Sequence, residues 1–150
     1  MTESVVTVTM AAGSFLLFAY WFRYTCLLIL SAKTTRDYAG EVAAANQLGF
    51  LRVQSQLRAR STVDLSRLQD ALDRDYALLS YLLANAATLH GESPIEAHML
   101  KVYYRLMSSW SRFSRQFSVE ASRRALEEMS LVVSHFANIM GERATAGAAA

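Results

Sequence analysis

Residues 5–30 form a nearly uninterrupted apolar segment, and this segment constrains the chain more than any other feature. It carries one charged residue, Arg23. As a helix at about 1.5 Å per residue it would be about 39 Å long, whereas the hydrocarbon core of a bilayer is about 30 Å thick. The residues before it include Glu3 but no Lys or Arg, unlike the basic start of a secretory signal peptide. We therefore expect a retained single-span membrane anchor over residues 1–32.

The basic residues around the apolar segment predict its orientation. Lys33 and Arg36 follow it, and no Lys or Arg precedes it. Because short loops rich in Lys and Arg stay on the cytoplasmic side, residues 33–150 are expected in the cytoplasm and the N-terminus outside. The predicted location is the inner (cytoplasmic) membrane, crossed once.

Arg23 lies toward the inner end of the segment, among the aromatic residues Tyr20, Trp21 and Tyr24. If the hydrocarbon begins at the start of the segment, the guanidinium can reach the headgroups and the aromatic residues form an interfacial belt. If it covers residues 11–30 instead, the charge lies inside it at a cost of about 2.5–3.5 kcal/mol. A neighbouring protein could cover the apolar end of the segment in the first placement, or provide an acceptor for Arg23 in the second. Helix tilt and snorkelling would instead accommodate the charge without a partner. These four residues are predicted to contact the membrane interface or a partner.

The remainder of the chain is expected to be all-α. It holds one proline, Pro94, and no sustained strand-type alternation. Residues 33–60 are predicted as a juxtamembrane helix that continues the anchor. Residues 61–143 are predicted as an antiparallel helical hairpin with its turn at 91–93, and residues 144–150 as a flexible tail. The fold class is thus a transmembrane helix that continues into a cytoplasmic hairpin or three- to four-helix bundle.

Local signals set the ends of the two hairpin helices. A cap at residues 61–62 begins the first, which carries an apolar stripe and ends near Gly91. Ser93, Pro94 and Glu96 form a capping box that begins the second.

The second hairpin helix carries an apolar stripe that is assigned to the core. The stripe consists of Ile95, Met99, Val102, Leu106, Trp110, Phe113, Phe117, Ala121, Ala125, Met129, Val132, Phe136 and Ile139. No Gly or Pro interrupts it before Gly141. One long helix is the favoured interpretation, and a bend near Ser118 into two helices of a four-helix bundle is the alternative.

Folding the chain about the turn at 91–93 places two charged clusters at the same level. The acidic cluster is Asp70, Asp73 and Asp75, and the basic cluster is Arg105, Arg112 and Arg115. Intramolecular pairing is favoured, although each exposed pair contributes at most about 1 kcal/mol. The alternative is a basic face that binds phosphate or lipid.

Motifs for catalysis or cofactor binding are missing from the sequence. There is no Gly-rich phosphate loop, HExxH or CxxC, and Cys26 is the single cysteine, which excludes an intrachain disulfide. His90, Glu92, Glu96 and His98 surround the predicted turn, but their spacing matches no zinc pattern. We expect no catalytic, cofactor-binding or metal-binding residues, and no enzymatic activity.

These features together predict a non-catalytic accessory or scaffold subunit of a larger inner-membrane complex. Small accessory subunits of respiratory or photosynthetic electron-transport assemblies share this build, which is an analogy of architecture. The expected partners are other membrane-protein subunits and the lipid bilayer. The net charge of +2 does not favour nucleic acid. The alternative is a membrane-anchored signalling or sensing module that self-associates into homo-oligomers.

Overall fold

The computed structural model describes residues 1–32, 36–60, 64–85 and 94–148. The chain forms two compact units, Met1–Ala32 and Lys33–Ala150. Every regular element in the described residues is a helix: α1 Thr2–Ser31, α2 Ala39–Asn46, α3 Phe50–Arg58, α4 Leu65–Asn85, α5 Pro94–Ser114 and α6 Val119–Ala148. The all-helical prediction is therefore confirmed for these residues.

The first unit is the single helix α1, which has 30 residues. By length and composition it is able to cross a membrane. Three of its hydroxyls are satisfied within the helix, because Thr7, Thr9 and Thr25 each donate to the carbonyl four residues earlier. The helix ends at Ser31, and the next residue, Ala32, has an extended backbone. The expected continuation of the anchor helix into residues 33–60 is thus replaced by a new helix that begins at Ala39.

Two short helices, α2 and α3, occupy the region predicted as one juxtamembrane helix. Gln47 adopts the left-handed conformation with φ of 55°, which ends α2. Phe50, Val53 and Leu57 face the core from α3. Because the break depends on the backbone of a single glutamine, propensity in the sequence did not reveal it.

Helix α4 begins one residue after Asp64, whose carboxylate Oδ1 accepts the N–H of Ser66 at 2.9 Å. Its leucine stripe is buried as expected, at Leu65, Leu68, Leu72, Leu79 and Leu83. The predicted cap at residues 61–62, the helix end near Gly91, the turn at 91–93 and the capping residue Ser93 lie outside the described residues.

The favoured single long helix is two helices in the structure, α5 and α6. Ser118 separates them, because its hydroxyl accepts the N–H of Ala121 at 3.2 Å and caps α6. The small side chains of Ser111 and Ser122 meet at 3.0 Å where the two helices approach each other. Helix α6 then returns antiparallel to α5.

Helix α6 forms the centre of the second unit and packs against α2, α3, α4 and α5. Five of the six predicted core positions on it are confirmed, since Ala125, Met129, Val132, Phe136 and Ile139 are buried, whereas Ala121 is only half-buried. The helix continues to Ala148, so most of the predicted flexible tail at 144–150 is helical.

Candidate interaction surfaces

An exposed apolar surface covers one side of α5 and is the main departure from the predicted core. We call it the α5 apolar face, and its members are Ile95, Val102, Leu106, Trp110, Phe113 and Phe117. The prediction that these residues lie in the core is wrong. Trp110 is 50%, Phe113 56% and Phe117 74% exposed.

Helix α5 instead buries its opposite side. Leu100, Tyr103 and Tyr104 are buried there, and the small residues Ser111 and Ser114 are buried near its end. The sequence favoured the wrong side because both sides carry apolar residues at helical spacing. Serine looks polar in a pattern, yet its small size allows the close approach of α5 to α6.

The three aromatic residues of the α5 apolar face lie close together. The ring centroids of Trp110 and Phe113 are 5.9 Å apart, and those of Phe113 and Phe117 are 5.2 Å apart. From Ile95 to Phe113 the face follows about 27 Å of α5 at about 1.5 Å per residue, and Phe117 lies in the turn after the helix. Contiguous exposed apolar area of this kind usually marks an interaction site.

A polar groove runs beside this face, between α4 and α5. It has a volume of about 430 Å³ and is lined by Asp73, Tyr76, Tyr104, Arg105, Ser108, Ser109 and Arg112. Its acidic side chain is engaged, since the Asp73 carboxylate accepts the Tyr104 hydroxyl at 2.9 Å and the Arg112 guanidinium at 3.1 Å. The ring of Tyr104 stacks on that of Tyr76 with centroids 3.8 Å apart.

The three arginines of the predicted basic face have different environments. Arg105 and Arg112 line the polar groove. Arg115 points to α4 instead and donates to the side-chain oxygen of Gln69. Gln69 also donates to the hydroxyl of Ser108 at 3.0 Å. Ser108 and Ser109 also line the groove and were not predicted as site residues, although they lie between Arg105 and Arg112 on α5.

The predicted pairing of acidic and basic clusters is confirmed for one pair, Asp73 with Arg112. Asp75 is buried, and its carboxylate accepts the N–H of Gly49 at 2.8 Å. Asp70 is exposed. Asp73 and Asp75 have different partners because residues two apart on a helix do not face the same side.

Burial changes the acid–base properties of two groups near this region. Desolvation raises the pKa of Asp75, and the backbone N–H groups of Gly49 and Phe50 partly oppose that rise. Desolvation, together with the neighbouring Asp73 carboxylate, raises the pKa of Tyr104 far above its usual range. Tyr104 therefore remains a protonated hydrogen-bond donor.

The aromatic residues predicted as interface contacts form a patch toward the end of α1. We call Tyr20, Trp21 and Tyr24 the α1 aromatic patch. Centroids of the Tyr20 and Tyr24 rings are 6.4 Å apart, and the Trp21 ring meets Tyr24 edge-on at 6.4 Å. All three side chains are exposed, as is Arg23 beside them.

The groups that line the polar groove carry charge and can donate or accept hydrogen bonds. The polar groove is lined by carboxylate, phenol, hydroxyl and guanidinium groups, without histidine or cysteine. Within the described ranges, no group of three or more His, Cys, Asp or Glu side chains is placed to hold a metal ion. A comparison with known protein families, curated proteins and solved structures finds no match for this chain.

Proposed function

We propose that this chain is a non-catalytic, single-span membrane protein that serves as an accessory or scaffold subunit of a larger inner-membrane complex. The observation that carries the proposal is α1, a helix of 30 residues whose large apolar side chains are exposed over most of its length. Lipid tails or other transmembrane helices would cover such a surface. In this proposal α1 crosses the bilayer with its N-terminus outside, and the helical unit is a cytoplasmic bundle.

The α1 aromatic patch is the proposed contact with neighbouring subunits. Its rings are held against each other, so a partner would order few additional side-chain torsions on binding them. Aromatic residues also contribute a large share of the energy of protein interfaces. Gly13, farther up the helix, has open space where a side chain would lie, which permits close approach of another helix.

The test begins with native protein extracted from its own membranes in a mild detergent, followed by sizing and identification of the proteins that copurify. A photoreactive phenylalanine analogue at Tyr24 then reports the neighbours of the aromatic patch. The same analogue at Phe15 is the matched control, because Phe15 is an exposed aromatic residue about half a helical turn away in angle.

The expected result is a defined assembly with crosslinks from position 24, but not from position 15, to another membrane subunit. Respiratory and photosynthetic complexes are the first class to search among the copurifying proteins. Crosslinks from Tyr24 to a second copy, with no foreign subunit, would replace the proposal with the self-associating signalling or sensing module. A stable monomer that crosslinks only to lipid would contradict both.

A further inference from the structure

The α5 apolar face lies beside a row of positive charges, and the two together have the composition of a surface that binds membranes. Lys101, Arg105 and Arg112 follow one another at spacings of four and seven residues along one edge of the face. We call these three residues the basic flank. Helices that lie in the membrane interface combine Trp, Phe and Leu on one side with Lys and Arg next to them.

The basic flank retains positive charge after its internal contacts are counted. Arg112 is held by Asp73, yet its side chain is 64% exposed. Arg105 is exposed, and Asp73 is the acidic residue that lines the polar groove with it. Between residues 94 and 117 there are four Lys and Arg residues against one acid, Glu96. The surface is therefore complementary to anions.

We propose that the α5 apolar face and the basic flank bind the surface of a bilayer that contains anionic phospholipids. The aromatic and aliphatic side chains enter the boundary between headgroups and acyl chains, to a depth of about 5–10 Å. The polar groove, with Arg105, Ser108 and Ser109 in its lining, accepts the phosphate of a headgroup.

Neither a second copy nor a free anion complements both the apolar residues and the positive charge of this surface. A second copy presents the same four cations and one acid, so self-pairing through α5 has no charge complementarity. Inorganic phosphate fits the arginines but leaves the apolar residues uncovered. An anionic phospholipid matches both, because its phosphate and its acyl chains belong to one molecule.

The inference rests on the proposed function, since α1 has to hold the chain at a bilayer. Covalent connection to α1 keeps the helical unit near the lipid headgroups, which raises the effective concentration of the two surfaces for each other. Insertion of α1 and binding by α5 are nevertheless separate properties that can be measured separately.

The test uses the full chain with Trp21→Phe, which leaves Trp110 of the α5 apolar face as the single tryptophan. The protein is placed, one copy per disc, in lipid nanodiscs of phosphatidylcholine alone or of phosphatidylcholine with phosphatidylglycerol. The measurements are the Trp110 emission maximum and its quenching by lipids brominated on their acyl chains. The amount of the chain recovered in the discs is measured first. It tests the insertion of α1 independently of binding by α5.

With phosphatidylglycerol we expect Trp110 emission to shift to the blue and to be quenched by brominated lipid, and both effects to weaken at high salt. The double variant Arg105→Gln/Arg112→Gln is expected to lower the ratio of membrane-bound to unbound α5 apolar face by about 25-fold. Each cation near an anionic surface raises the binding constant by about fivefold. The control, Arg58→Gln/Arg67→Gln, removes the same charge from exposed positions on α3 and α4 and should retain binding. Circular dichroism verifies that both variants are folded.

Four outcomes would overturn the inference. Trp110 emission typical of water in every disc would mean that the face does not contact lipid. Equal quenching with and without phosphatidylglycerol would remove the role of the anionic headgroup. A blue shift that appears only with several copies per disc would identify a second copy as the occupant. A shift caused by inorganic phosphate in phosphatidylcholine discs would reduce the surface to a phosphate site.

Discussion

At the scale of single residues, polar side chains on other helices accept backbone N–H groups at the starts of α2 and α3. Neither Tyr38 nor Gly49, the residues before α2 and α3, provides a side-chain cap. Asn138 of α6 accepts the N–H of Tyr38 at 2.8 Å, and Asp75 of α4 accepts the N–H of Gly49 at 2.8 Å. Free N–H groups at a helix start need an acceptor, and here another helix supplies it. Such caps are invisible in the sequence because donor and acceptor lie far apart along the chain.

The buried Asp75 carboxyl predicts a pH-dependent stability. Burial raises its pKa above the ordinary value of 3.8, so the folded state favours the protonated form. The stability that this group contributes is complete below the ordinary pKa and is lost as pH rises through the higher folded-state pKa. Asp75→Asn cannot titrate, so its unfolding free energy relative to wild type should increase with pH across that window. Denaturant unfolding at a series of pH values, followed by circular dichroism, measures the difference.

The variant Asp75→Ala separates the cap from the charge. It removes the acceptor of the Gly49 N–H that Asp75→Asn keeps, and we expect it to be about 1–2 kcal/mol less stable than Asp75→Asn at every pH, because neither variant titrates. A wild-type protein whose stability relative to Asp75→Asn increased with pH would contradict the assignment of the raised pKa.

At the scale of elements, α5 is amphipathic with its aromatic side outward, and one pair of substitutions tests this orientation. Leu100 is fully buried and Leu106 is 50% exposed. Leu100→Ala should lower the unfolding free energy by about 2–5 kcal/mol, and Leu106→Ala by about 0.5 kcal/mol or less. Thermal unfolding in a neutral detergent gives both values. The opposite ranking would restore the orientation that the sequence pattern favoured.

The contact between α2 and α6 depends on a glycine. A β-carbon at Gly141 would overlap the side chain of Tyr38, whereas Gly147 on the same helix has open space. Gly141→Ala should therefore destabilise the unit by about 1–3 kcal/mol, although alanine is the better helix former. Gly147→Ala should leave stability unchanged or raise it by up to about 1 kcal/mol. Calorimetry measures the melting temperatures of the two variants. Equal melting temperatures would mean that α2 does not pack at Gly141.

At the scale of the whole molecule, the orientation in the membrane is predicted by charge. Lys33 and Arg36 follow α1 and favour the cytoplasm for the helical unit. A fluorescent-protein fusion after α6 should fluoresce, and a fusion to an alkaline phosphatase that needs the periplasm should be inactive. Moving the two charges in front of α1 is expected to weaken or invert this result. An active phosphatase fusion to the unchanged chain would contradict the predicted topology.

The sequence predicted those features of the molecule that repeat along the chain. The length of α1 and the buried leucines of α4 follow from composition and periodicity, and the structure agrees. The features that it did not predict depend on single residues or on which side of a helix packs against its neighbours. The left-handed Gln47 divides a helix, Ser118 begins another, and the helix α5 has two apolar sides between which only packing decides. The interaction surface was missed for the same reason, since its residues were assigned to the core.

The central position of α6 has a consequence for how the protein is made. The ribosome produces α2 to α5 before α6, yet α6 is the helix that all four contact. Until its 30 residues emerge, the earlier helices have no common neighbour, and their apolar sides remain open to chaperones and proteases. A chain that stops just before Val119 is therefore expected to be degraded faster than the full chain, which pulse-chase labelling would measure. Only chains that contain α6 are expected to cover the apolar sides of the earlier helices.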